Sequence, residues 1–185
     1  MSFVFLARLA KRHASFACSG RVVVVVLFDF FMEENSFDIV VGCMADVAAV
    51  ARFQVDMAME SEGTVLNVGI VERGVSAVMC DSAKGMYLVA KAGDTAVASL
   101  MITREWSDWN NEWYWWVQSV YVTPEYRGKG VYRKMYAKVK ELAGKDGVSQ
   151  IRLYVDKTNV RARRVYEKLG MQECHYLMYD DCVEL

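Results

Sequence analysis

Proline occurs once in this chain, at Pro124, against a usual share of about 5%. A fixed φ and a missing N–H are therefore called for at one place only. Histidine is almost as scarce, with His13 and His175 as the only imidazoles, and the cysteines (Cys18, Cys43, Cys80, Cys174 and Cys182) include no C-x-x-C pair. That pattern argues against a structural zinc site and against a disulfide framework. No apolar run approaches the ~20 residues of a membrane-spanning helix. The valine-rich stretch Val22 to Phe28 is stopped by Asp29. Net charge is lacking too: 22 basic and 23 acidic residues leave -1, so no global field recruits nucleic acid or an anionic membrane. What is abundant is apolar side chain, 54% of 185 residues with 24% charged, the composition of one globular domain with a sizeable core.

The amino terminus reads separately. Before Met32, Arg8, Lys11, Arg12 and Arg21 face a single acid, Asp29. On a helical wheel Arg8, Lys11 and Arg12 oppose Leu6, Leu9 and Phe16, as in a mitochondrial presequence. Two other readings stand beside it: Met32 as the functional start, with the upstream stretch incidental, or Val22 to Phe28 as an added strand. Residues 1–31 are accordingly set apart as an extension. The expected location is the cytoplasm, or the mitochondrion where that extension acts as a presequence.

From Phe37 onward strand and helix signals alternate. Phe37 to Val41 reads as a strand and Ala45 to Ala58 as a helix broken by the polar turn Glu60 to Gly63; a second helix covers Ile70 to Cys80. Met86 to Lys91 and Ala96 to Glu105 form a hairpin through Ala92-Gly93-Asp94, and Trp113 to Val122 is a central strand apolar on both faces. Pro124 ends it, having no N–H for a ladder. Lys129 to Ala143 is a helix, Ile151 to Val155 a strand, Thr158 to Leu169 a helix and Glu173 to Tyr179 a final strand. The order β-α-α-β-β-β-α-β-α-β predicts an α/β fold of the mixed sandwich kind rather than a doubly wound sheet.

Chemistry concentrates in Thr123-Pro124-Glu125-Tyr126-Arg127-Gly128-Lys129-Gly130-Val131-Tyr132. A strand ends, two glycines follow among basic neighbours, and a helix opens at once. Such a turn aims successive backbone N–H groups at one spot in front of a helix N-terminus, a cradle for phosphate that glycine keeps clear. The glycine spacing fits neither G-x-x-x-x-G-K-[ST] nor the three-glycine dinucleotide fingerprint.

The stretch resembles the acetyl-CoA loop of the GNAT N-acyltransferases, [QR]-x-x-G-x-[GA], with Arg127 and Gly130 in place and Tyr132 where glycine or alanine is usual. A second element, Asn159 to Met171, is similar to that family's N-x-x-A-x-x-x-Y-x-x-x-G-[FM] segment. The resemblance spans roughly Phe37 to Tyr179. It implies a GNAT-like fold, a mostly antiparallel sheet flanked by helices, with 32–185 as an N-acetyltransferase domain. It also implies acetyl transfer from acetyl-CoA, as co-substrate, to an amine. The loop residues Arg127, Gly128, Lys129, Gly130, Val131 and Tyr132, with Asn159 and the backbone of Val120 and Val122, would then bind the cofactor. Tyr166 would be the acid for the departing thiolate, and the Val122 N–H would be the donor to the carbonyl oxygen. Tyr166 as a core residue and Asn159 as a plain helix cap are the structural alternatives.

Regional charge is read independently. Glu125 to Gly170 holds 13 basic and 5 acidic residues, net +8, and Met32 to Pro124 holds 5 basic and 13 acidic, net -8. Solvated helix faces would explain both; so would CoA phosphates on one side and a small cationic amine on the other. Glu60, Glu62, Asp108 and Gln118 are the substrate-binding candidates. Trp106, Trp109, Trp113, Trp115 and Trp116 form either an aromatic wall for an ammonium group, cross-strand pairs, or a homodimer interface. Two alternatives to a small-amine enzyme remain open: a protein N-terminal or lysine acetyltransferase, and a non-catalytic acyl-CoA-binding regulator. Nucleic acid, metal and a membrane span are not expected.

Overall fold

The computed structural model describes residues 36–183, together with the backbone of two short strands, Ala17–Cys18 (β1) and Arg21–Val22 (β2), which pair antiparallel. Met1–Glu34 and Asn35–Leu185 are separate compact units. The helical face expected around Arg8 to Phe16 and the apolar run beyond Val22 lie outside the described residues.

The second unit is built on a five-stranded sheet in the order β3-β4-β5-β6-β7. Its strands are Asp38–Val41 (β3), Met86–Ala92 (β4), Thr95–Ser107 (β5), Glu112–Val122 (β6) and Gln150–Arg152 (β7). The first three pairings are antiparallel and β6–β7 is parallel. Helices Val47–Glu62 (α1) and Val68–Cys80 (α2) cover one face; Val131–Lys145 (α3) covers the other, and Val160–Lys168 (α4) follows. The alternation of each strand explains the two layers. Leu88, Leu100, Ile102, Trp115 and Val117 point toward Val131, Met135 and Val139 of α3, whereas Tyr87 and Val89 meet Val50, Ala51 and Val75 of α1 and α2.

Several expected boundaries move for local reasons. The helix expected to stop before Glu60 continues through Glu62, because Gly63 at φ 65° is the residue that can turn left-handed and cap it. Glu60 and Glu62 therefore lie in the last turn of α1, not in a loop. The second helix starts earlier than read, at Val68, where the Asn67 side chain accepts from the Ile70 N–H at 3.1 Å. The strand expected over Ile151 to Val155 shortens to Gln150–Arg152, and the last strand expected over Glu173 to Tyr179 does not form among the described residues. Tyr176, Leu177, Met178 and Tyr179 are left exposed.

Two features of β6 set up the site. Gln118 pairs with Met101 and Tyr121 with Ser99, so Ser119 and Val120 together oppose Leu100 in a bulge, with Ser119 at φ 54°. On its other edge β6 pairs with β7 only from Tyr114 to Trp116. Beyond Trp116 the parallel strands part.

Gly85 closes the turn from α2 into β4. It sits at φ 133°, and a Cβ there would stand 2.4 Å from the Ile102 carbonyl oxygen of β5. Gly85→Ala should destabilise the fold by at least about 2 kcal/mol, since backbone must move to relieve the clash. Gly74→Ala, in exposed helix with nothing within 4 Å of the new methyl, should stabilise it by up to about 1 kcal/mol. Paired thermal melts read both signs.

Candidate active site

The Thr123 N–H donates to the Val97 carbonyl at 3.0 Å. Antiparallel partners alternate between bonded and non-bonded pairs, so the Ala98–Val122 pair is a non-bonded one and the Val122 N–H points to the opposite edge. That edge is the one β7 has left. Thr123 then leads into a single 3-10 turn, Pro124–Tyr126, with Pro124 at its start, where its missing N–H costs nothing. Gly128 and Gly130 follow at φ 79° and 80°. Side chains disfavour that region, and a Cβ on Gly128 would meet nothing within 4 Å, so the loop's outer side is open.

The helix begins immediately, with Gly130 as its N-cap and no side-chain cap. The backbone N–H groups from Gly128 to Arg133 have no hydrogen-bond partner among the described residues. Left-handed glycines ahead of a helix N-terminus turn such groups to one side and add the positive end of the helix dipole. This is an anion site made of main chain. Lys129 reaches over the Tyr126 ring at 5.1 Å, and the Arg133 guanidinium lies 3.6 Å from where a Gly130 Cβ would stand, which places both cations at the loop. Arg133 was not among the residues expected from the sequence; its position three residues after Gly130, on the first turn, is the signal that could have found it.

Arg127 behaves differently from a phosphate ligand. Its Nε donates to the Val122 carbonyl at 2.8 Å, and its Nη2 meets Glu60 Oε2 at 2.6 Å. Tyr121, stacked near Phe53 of α1, donates to Glu60 Oε1 at 2.9 Å. Burial alone would raise the Glu60 pKa, but the bonds from Arg127 and Tyr121 outweigh it and hold the carboxyl below the usual carboxylate range. The same burial, with Glu60 as acceptor, pushes Tyr121 up to about 12. At neutral pH Glu60 is therefore a carboxylate and Tyr121 a neutral phenol.

Tyr166 is half-buried on α4, edge-on to Tyr132 with ring centroids 5.6 Å apart, and Tyr132 stacks on Tyr136 at 6.1 Å. The Tyr132 side chain therefore turns to α4, and its hydroxyl is buried with no partner among the described residues. The Tyr166 hydroxyl likewise bonds to none of them, and burial raises its pKa. Val165 beside it is 37% exposed, and α4 has no buried residue. Asn159 caps α4, its Oδ1 accepting from the Ala162 N–H at 3.0 Å.

The remaining candidates scatter. Gln118 is on the α1–α2 side of β6 and donates to Thr103 at 3.1 Å, while the Tyr154 hydroxyl donates to it at 3.3 Å from just beyond β7. Tyr154, unforeseen in the sequence, so spans the gap where the strands part. Glu62 is exposed at the end of α1. Asp108 lies in the β5–β6 turn, at the opposite end of a strand about 30 Å long from Val122, and is not brought to the loop. The tryptophans serve the hairpin: Trp106 and Trp113 are register partners with centroids 5.1 Å apart, Trp115 is buried, and Trp116 donates to Glu105. Among the described residues no cluster could hold a metal ion, and no helix is long and apolar enough to cross a membrane.

The sheet is mixed, and it parts beside a glycine loop whose main-chain groups can receive an anion. The model of the acetyltransferase (GNAT) family matches residues 58–171, and the chain belongs to that family. Its structure is similar to a "possible acetyltransferase" from Clostridium difficile 630, with a TM-score of 0.75 and 39% identity over 80% of this chain and 99% of that one. It shares the fold of a Clostridium acetobutylicum "predicted acetyltransferase with acetyl-CoA", at TM-score 0.65 and 17% identity over 79% of this chain and 96% of the other. The Bos taurus "Thialysine N-epsilon-acetyltransferase" is 45% identical over 58 residues, which are 31% of this chain and 34% of the bovine protein. The match thus spans about a third of that relative.

Asn159→Ala should cost about 1 kcal/mol by loss of the cap, and Asn159→Asp should restore most of it. Equal melting temperatures for the parent and the Ala variant would show that the cap contributes nothing.

Proposed function

We propose that the protein transfers an acetyl group from acetyl-CoA to the amino group of a small cationic amine. The observation that carries this reading is a line of main-chain N–H groups: that of Val122, which faces the edge β7 has left, and those of Gly128 to Arg133 at the head of α3, which have no partner among the described residues. Family membership supports acetyl-CoA as the donor, since GNAT acetyltransferases use it, and the cradle fits: its main-chain donors are free and its glycines keep the approach open. Bound acetyl-CoA supplies an activated acetyl thioester. The N–H groups of Gly128 to Arg133, with Lys129 and Arg133, hold the phosphates. The Val122 N–H donates to the acetyl oxygen as negative charge develops there. Tyr166 is kept protonated through the neutral range by burial and gives its proton to the departing sulfur. The acceptor ammonium first gives one proton to water, a carbon–nitrogen bond forms as the carbon–sulfur bond breaks, and a second amine proton, passed through water, restores the Tyr166 hydroxyl.

The small cationic acceptor is supported by the acidic half of the chain, net -8 from Met32 to Pro124, and by the relative named for thialysine Nε. Release of CoA thiol is the test, with thialysine, diamines and peptides offered side by side. Turnover with free amines is expected. Turnover with peptides alone would make this a protein acetyltransferase, and thermal stabilisation by acetyl-CoA with no thiol release would make it a binding module.

Two variants sharpen the assignment. Acetyl-CoA at a hundred times its Kd should stabilise the parent by about 2.7 kcal/mol, and Gly128→Val with Gly130→Val should abolish that shift; an undiminished shift refutes the cradle. Tyr166→Phe keeps the ring against Tyr132 and should lower single-turnover acetyl transfer by ~10²- to 10⁴-fold, with acetyl-CoA affinity little changed. A well-folded Phe variant with parental rates would remove the hydroxyl from the chemistry.

A further inference from the structure

The resemblance to GNAT loops casts Arg127 as a cofactor ligand and Glu60 as a contact for the acceptor. The geometry gives both side chains other work. Arg127 Nε holds the carbonyl of Val122, its Nη2 holds Glu60, Tyr121 holds the other oxygen of the same carboxylate, and the guanidinium lies 5.4 Å above the Tyr121 ring. These contacts close a ring through three elements: the last turn of α1, the end of β6 and the loop before α3. Each corner fixes the next. The planar fork of arginine satisfies a carbonyl and a carboxylate at once from two nitrogens held rigidly apart, a geometry that the single ammonium of lysine does not reproduce.

The consequence falls on the peptide units that face the substrate. The Val122 carbonyl, which leaves the sheet where β7 is no longer beside it, is held by Arg127; the N–H of the same residue is the donor aimed into the gap. Gly128 follows Arg127 directly, so the side chain that anchors Arg127 also sets where the glycine loop begins. Resting on the acetyl-CoA reading above, we propose that Glu60 is a positioning residue: it holds Arg127 away from the phosphates and against the Val122 carbonyl, so that the backbone donors of Val122 and of the loop stand ready for acetyl-CoA. Glu60 thus acts on the cofactor side of the reaction from the last turn of α1.

The test is calorimetric titration of acetyl-CoA into the parent, Glu60→Gln, Arg127→Gln and the double variant, each with its melting curve. Each single change should weaken binding by about tenfold, and the double should bind no more weakly than the weaker single, because one ring can be broken only once. Tyr121→Phe, which opens the ring at its third corner and leaves the ion pair in place, should weaken binding by about two- to threefold, and Arg127→Lys should resemble Arg127→Gln.

Unchanged acetyl-CoA affinity in Glu60→Gln, with or without a lower melting temperature, overturns the proposal, since a merely structural or acceptor-binding glutamate would give that result. Tighter binding also overturns it, because the freed arginine would then be a phosphate ligand. So do losses that multiply in the double variant. Should Glu60→Gln not fold, the same titration of Arg127→Lys and Tyr121→Phe decides by the same criterion. A parent that binds no acetyl-CoA refutes the functional reading itself, and the positioning role falls with it; binding by the parent with no change in the variants refutes the positioning role alone.

Discussion

A backbone N–H that leaves its ladder must find another acceptor, and this fold strands a row of them on purpose. Most buried main-chain donors in a protein are paired. Here the parting of β6 from β7 after Trp116 releases the Val122 N–H, and the two left-handed glycines release the N–H groups from Gly128 to Arg133. The rest of the second unit holds that arrangement open. Val131, the first residue of α3, is buried against the sheet with Met135 and Val139, so the helix cannot slide forward to fill the cradle. Pro124 ends the strand without leaving a donor of its own, and the bulge at Ser119 and Val120 resets which edge each later N–H faces.

Charge is distributed around this row rather than within it. Arg127, the loop's first cation, is neutralised by Glu60 and spends its hydrogen bonds on the protein. Lys129 and Arg133 are left at the cradle's rim. On the other side Tyr132 joins α4 to the first turn of α3 by its ring contact with Tyr166 at 5.6 Å, and it stacks on Tyr136 within α3 at 6.1 Å. The tyrosine at position 132 therefore packs against Tyr166 of α4, edge to ring.

The elements that sequence makes legible are those with local causes. The Ala92-Gly93-Asp94 turn marks the hairpin of Met86 to Lys91 with Ala96 to Glu105, the apolar run Trp113 to Val122 marks a central strand, and the strand–proline–glycine–helix succession marks the turn into α3. What sequence does not carry is pairing across distance. Glu60 and Arg127 are 67 positions apart, and nothing local says that they meet. The capping geometry of Gly63 extends α1 past the polar residues that read as a turn, and the final strand read over Glu173 to Tyr179 does not form among the described residues. Asp108 suffers from the same blindness: close to the site in number, it is carried to the far end by the long hairpin. The tryptophans read as a ligand wall, as cross-strand pairs or as a homodimer interface, and the register supplies one cross-strand pair, Trp106 with Trp113.

Amide hydrogen exchange with and without acetyl-CoA examines the stranded donors themselves. The account predicts that adding acetyl-CoA slows exchange at Val122 and along Gly128 to Arg133, while the β3–β4 ladder, already paired, changes little. Unchanged exchange at those amides in protein shown to be saturated with acetyl-CoA, or protection confined to other segments, would contradict it.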